Sequence, residues 1–203
     1  MADSSRAAEL ARECGIDVGL HLNFSEPLTG EWVGDSVRRD HERVRSFLRK
    51  SKYALLVYNP FLRASFRNLF RAQWEEFIRL YGRRPSRIDG HQHLHLCSNV
   101  LADRLIPRGT RVRRSFSFEA GERNYFNVRY RRIVDRVLSH RYLLTDYFFA
   151  LSQNLAINSL RRVVNVSSSC AVELMCHPEV NREYDLIKST AYIELVRGHA
   201  SLC

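Results

Sequence analysis

Ile16-Asp-Val-Gly-Leu-His-Leu-Asn23 sets Ile16, Val18, Leu20 and Leu22 against Asp17, Gly19, His21 and Asn23. A period of two is the signature of a strand with one buried face, so this stretch reads as β. Upstream, Ala7, Leu10, Ala11 and Cys14 fall at i, i+3, i+4 and i+7 behind a capping Asp3 or Ser4, and Gly15 is a natural stop. The chain therefore opens with a helix that feeds a strand. Downstream, residues 24–35 read as a loop with Pro27, Gly30 and Gly34, followed by helices at 36–50 and 60–81. The second of these carries Leu62, Phe66, Leu69, Phe70, Phe77 and Ile78 as a wide apolar stripe, ended by Gly82 and Pro85. Strands are expected at 87–91, 110–114, 145–151 and 171–176, with helices at 97–105, 123–140, 153–164 and 186–197 and a short last strand at 200–203. Strand alternating with helix points to an α/β fold with a parallel sheet, in a single domain over 1–203.

The 203 residues carry 32 basic and 22 acidic side chains, a net charge of +10. Only Lys50, Lys52 and Lys188 are lysines, so arginine supplies the excess. Guanidinium groups suit phosphate, and a basic protein of this kind invites a nucleic-acid or anionic-lipid reading. The arginines, however, are spread in pairs such as Arg38–Arg39, Arg83–Arg84 and Arg131–Arg132, with no basic block. No nucleic-acid partner is expected. The five cysteines (Cys14, Cys97, Cys170, Cys176 and Cys203) form no CxxC pair, which points to a reducing compartment. No apolar run approaches the roughly 18 residues of a membrane span, and the first 15 residues lack a signal-peptide core. A cytoplasmic protein is expected.

The expected strands end in reactive side chains: His21 and Asn23, Asp89 and His91, then Cys176 and His177 before Pro178. In parallel α/β folds, sites gather at the carboxyl ends of strands. His91, His93 and His95 alternate, so in an extended chain all three would share one side. Neutral imidazole is the commonest metal ligand, and His21 and His177 stand at equivalent strand ends. A Cys176–His177 nucleophile pair is disfavoured, because alternation puts the two on opposite sides.

Taken together, Gly19-Leu-His-Leu-Asn23, Ile88-Asp-Gly-His-Gln-His-Leu-His95 and Glu173-Leu-Met-Cys-His-Pro178 resemble the YdjC-like carbohydrate deacetylase family. This family includes chitooligosaccharide deacetylases and a deacetylase linked to hopanoid lipid biosynthesis. Arg111-Val-Arg-Arg-Ser-Phe and Leu144-Thr-Asp-Tyr-Phe-Phe fit it too. The resemblance implies a distorted (β/α) TIM-like barrel related to polysaccharide deacetylases. It implies a divalent ion, Mg2+ or Zn2+, and removal of an acetyl group from an N-acetylated amino sugar. His21 and His91 match the family's metal-binding histidines, and His177 matches the histidine proposed for acid catalysis. Asn23, His95 and Arg113 would line the sugar pocket.

An amide is a poor electrophile and an amine a poor leaving group. A metal that polarises the carbonyl, a carboxylate that takes the water proton and an imidazolium that protonates the nitrogen answer both problems. The family's usual first strand carries adjacent aspartates in Ala-Asp-Asp-Phe-Gly, one a metal ligand and the other the base. Met1-Ala-Asp-Ser does not match it. Asp89, two residues before His91, and Asp146 are the candidate carboxylates that remain. The expectation is an N-terminally incomplete barrel, since the fold takes about 250 residues. In this form the chain should have little activity, and a misassigned start is preferred to a degraded gene. Open barrel edges are compatible with a homodimer. Two alternatives differ in kind: an amidohydrolase-like enzyme using the His91–His93 pair, and a non-enzymatic binder of nucleic acid or anionic lipid.

Overall fold

The computed structural model describes residues 3–30, 33–51, 53–117 and 125–200. The chain divides into two compact units, Met1–Val112 and Arg113–Cys203.

In the first unit, helix α1 (Ser4–Glu13) leads to strand β1 (Leu20–Leu22). Helices α2 (Asp35–Arg49) and α3 (Arg63–Tyr81) connect β1 to β2 (Arg87–Gly90). Helix α4 (Ser98–Ala102) then precedes β3 (Arg111–Val112). The three strands form one parallel sheet in the order β1-β2-β3, so each crossover carries helix, as the strand–helix alternation predicts. Leu20, Leu22, Ile88 and Val112 supply its buried face. The α3 stripe packs as read: Phe66, Leu69, Phe70 and Phe77 are buried, and Phe66 meets Phe24 with ring centroids 5.3 Å apart. Asn59 accepts from the Phe61 amide at 3.1 Å and so starts the 3₁₀ turn Pro60–Leu62 that enters α3.

The second unit holds α5 (Tyr125–Ser139), β4 (Tyr147–Ala150), α6 (Ile157–Ser167), β5 (Val172–Met175), α7 (Asn181–Lys188) and α8 (Thr190–Ala200). Strands β4 and β5 pair in parallel from Tyr147↔Val172 to Ala150↔Met175. Leu138, Phe148, Leu151, Leu160 and Val163 form its core. Asp135, buried in α5, accepts from the Ser115 amide at 3.0 Å and from Arg114 at 2.8 Å, which ties the helix to the segment ahead of it.

Three expectations change. The strand expected over 16–23 pairs only at Leu20–Leu22. Ile16 is exposed, and Asp17 is drawn aside by Ser86 at 2.8 Å and Arg83 at 3.1 Å. Those contacts, with burial opposing them, hold the Asp17 carboxyl below its usual range. Helix α1 buries Ala8 rather than the Ala7–Cys14 stripe, and Leu10 is half exposed. The single last helix is two helices. Ser189 takes an extended conformation and accepts from the Tyr192 amide at 3.2 Å, so it is the N-cap of α8. Of the last expected strand, Ala200 ends α8, and 201–203 lie outside the described residues. Among the described residues no helix is long and apolar enough to cross a membrane.

Candidate functional site

Strand register builds the centre of the site in the first unit. β1 and β2 run parallel with His21 opposite Asp89 and Leu22 opposite Gly90. Cross-strand partners share a face, so the leucine and isoleucine face the core while His21 and Asp89 meet on the other side. His21 Nδ1 donates to Asp89 Oδ1 at 2.9 Å. A carboxylate can only accept, so the ring carries a proton on Nδ1, and in its neutral form it presents the Nε2 lone pair. This is the arrangement by which a carboxylate orients a metal-binding imidazole.

Beyond β2 the chain does not stay extended. A Cβ on Gly90 would lie 2.9 Å from the His95 amide nitrogen and 3.0 Å from its Cβ. Only glycine allows the backbone to curl back that closely. Residues His91–Leu96 form a 3₁₀ turn in which Gln92 and His93 take left-handed φ values of 52° and 59°. The expected one-sided alternation of His91, His93 and His95 is therefore broken. His91 turns to His21, with ring centroids 6.0 Å apart and nearly perpendicular rings. His95 is fully buried, and His93 lies 6.1 Å from it. Two left-handed non-glycine residues in succession are costly, of order 1–3 kcal/mol each, and such strain clusters at functional sites.

A cavity of about 390 Å³ opens beside this pair, lined by His21, Asn23, Glu26, Gln73 and His91 over a floor that includes Phe77. Gln73 reaches out of the apolar stripe of α3. Its Oε1 accepts from the Asn23 amide at 2.8 Å and its Nε2 donates to the Asn23 carbonyl at 3.1 Å, which pins the chain where it leaves β1. The Asn23 side chain serves the loop itself. Its Oδ1 accepts from the amides of Ser25 at 3.2 Å and Glu26 at 2.9 Å, and its Nδ2 donates to the Glu26 carbonyl at 2.8 Å. Glu26 Oε1 lies 3.8 Å from His91 Nε2.

The remaining expected site residues belong to the second unit. Arg113 donates from Nε to Glu173 Oε1 at 2.7 Å and stacks over the Phe148 ring at 4.9 Å. Asp146 Oδ2 accepts from the Ala171 amide at 2.9 Å and so joins the entry of β4 to that of β5. His177 follows β5, half exposed, and its carbonyl accepts from the Val180 amide in a turn at Pro178. Its own amide donates to Glu183 Oε2 at 2.6 Å. The cysteines beside these histidines are not poised as nucleophiles. Burial pushes the Cys97 thiol up to about 11, and burial with the carboxylates of Glu183 and Glu179 raises that of Cys176.

Sequence reasoning named His21, Asp89, His91 and Asn23, and the first unit brings them together. It missed Glu26, Gln73, Glu173 and Glu183. The one available signal was Glu173, a charge within the apolar strand Val172–Met175.

The sequence model of the YdjC-like protein family matches residues 1–197. The chain belongs to the YdjC-like family. A carbohydrate deacetylase of Mus musculus is 36% identical over 116 residues, covering 53% of this chain and 36% of that protein. Carbohydrate deacetylases of Homo sapiens and Danio rerio are 35% identical over 120 residues and 31% over 100, covering 56% and 48% of the chain. In each case the match spans about a third of the relative's length, 36% of the human protein and 31% of the fish protein. A divalent ion implied by the family is met in part by the donors present. His21 and His91 offer two imidazoles, one held in the ligating tautomer. Among the described residues no group of three His, Cys, Asp or Glu side chains is placed to close around one ion.

Proposed function

We propose that this chain carries the active-site residues of a divalent-metal-dependent hydrolase that removes acetyl groups from N-acetylated amino sugars of chitooligosaccharide or glycolipid type. The protein would be cytoplasmic, with the sugar as its partner and no nucleic acid, on a distorted (β/α) barrel formed by one domain over 1–203. The observation that carries this reading is the His21–Asp89 pair facing His91. His21 and His91 would hold the ion. Bound there, a divalent cation supplies polarisation of the acetyl carbonyl and acidification of water. Asp89 orients His21 through Nδ1 and is the carboxylate assigned to take the water proton. His177 delivers a proton to the nitrogen as the C–N bond breaks, leaving acetate and a free amine. Asn23, His95, Arg113 and Asp146 are the residues assigned to binding the sugar. The left-handed turn at Gln92–His93 supports His21, rather than His93, as the partner of His91.

Zinc titration calorimetry on the 203-residue chain tests the ligand assignment without requiring turnover. One ion per chain is expected, lost in His21→Ala and in His91→Ala. Asp89→Asn should weaken binding by about 10- to 100-fold, the usual effect of removing a group that orients a ligand. Binding that survives His21→Ala but fails in His93→Ala would favour the His91–His93 pair and overturn the assignment.

A further inference from the structure

Glu183 is 1% exposed, in the first turn of α7 and six residues after His177. Burying a carboxylate is costly unless its oxygens find donors. A glutamate three positions past the N-cap ordinarily reaches back to the N-cap amide of its own helix. Here the N-cap is Val180, and the carboxylate bypasses it. Oε2 accepts from the backbone amide of His177 at 2.6 Å. Oε1 is buried and has no hydrogen-bond partner among the described residues. The imidazole Nδ1 of His177 stands 3.9 Å from it. That separation is within ion-pair reach but too long for a hydrogen bond.

We propose that Glu183 is the positioning residue for His177. It fixes the end of β5 through the His177 amide and holds the ring through Nδ1. An ionised carboxylate accepts and cannot donate, so the ring facing it bears its proton on Nδ1. Nε2 is then the nitrogen that gains and gives up the mobile proton, and the half-exposed ring has room to present it to a substrate. A carboxylate in the first turn of α7 complements the positive end of the helix dipole. The inference rests on the reading of His177 as the proton donor to the leaving nitrogen, but its structural half stands apart from that reading.

The experiment is 15N-edited NMR of the histidine rings of the 203-residue chain at about pH 8.5, where a histidine of ordinary pKa is neutral. His177 is assigned by the signal lost in His177→Gln. The wild-type ring is expected in the Nδ1–H form, and Glu183→Gln should shift it toward Nε2–H. A wild-type ring in the Nε2–H form overturns the proposal, even if Glu183→Gln fails to fold. A ring whose tautomer is the same in wild type and Glu183→Gln also overturns it. In the whole protein, Glu183→Gln should lower kcat for acetate release by about 10-fold or more, a part of what general acid catalysis contributes, with KM nearly constant. The tautomer is read whether or not acetate is released. An Nδ1–H ring in a protein without deacetylase activity would refute the reading of the enzyme and leave the Glu183–His177 pairing standing.

Discussion

His177→Ala is expected to lower kcat for acetate release by about 10²- to 10⁴-fold in the protein that carries this chain, the range by which a positioned general acid or base accelerates a reaction. Amide hydrolysis expels an amine anion unless the nitrogen is protonated as the bond breaks, so the loss of the proton donor is felt in the chemical step. His177 stands just past the carboxyl end of β5, half exposed, with its backbone held by Glu183. The hydrogen bond from the backbone amide at 177 to Glu183 Oε2 does not involve the side chain and survives the substitution. The fold should therefore hold, and KM should change little. Steady-state kinetics on N,N′-diacetylchitobiose checks this. A kcat within a few-fold of wild type would remove His177 from the mechanism.

Phe66→Ala should destabilise the first unit by about 3–5 kcal/mol, the usual loss for a fully buried phenylalanine. Phe66 has no exposed surface, sits mid-stripe on α3 and packs its ring on Phe24. Phe24 follows Asn23 directly, so a cavity at this point lies beneath the loop that Gln73 and Asn23 hold. Urea unfolding followed by circular dichroism gives the loss. A change under about 1 kcal/mol would mean that α3 does not anchor the sheet as described, since well-packed interiors cannot absorb so large a void.

Much of this fold is legible in the sequence because the relevant signals are local. The α3 stripe, the period-two run ending at Leu22 and the glycines at positions 15 and 82 follow from spacing and backbone sterics alone. The site was half legible. His21 and Asp89 stand at the ends of two strands, and parallel pairing brings them into register. The turn at His91–Leu96 was not legible, because alternation suggested an extended chain. What overrides it is the close approach of Gly90 to His95, five residues on, which a side chain at position 90 would block. Glu26, Gln73 and Glu183 were missed for the same reason. Each acts through a long-range or loop contact that no periodicity encodes, and Gln73 was hidden within an apolar helix face. The split of the last helix hinged on one serine acting as a cap, a signal present in the sequence but outweighed by the apolar residues on either side.

His21 and His91 are proposed to hold the ion on which N-deacetylation by this protein would depend. The most direct test is acetate release from N,N′-diacetylchitobiose by the whole protein, stripped of metal and then reloaded with Zn2+ or Mg2+. The expected result is turnover that vanishes on stripping, returns on reloading, and does not return in His21→Ala or His91→Ala. Metal-independent turnover, turnover unchanged by both substitutions, or no acetate release from any N-acetylated sugar after reloading would contradict the account.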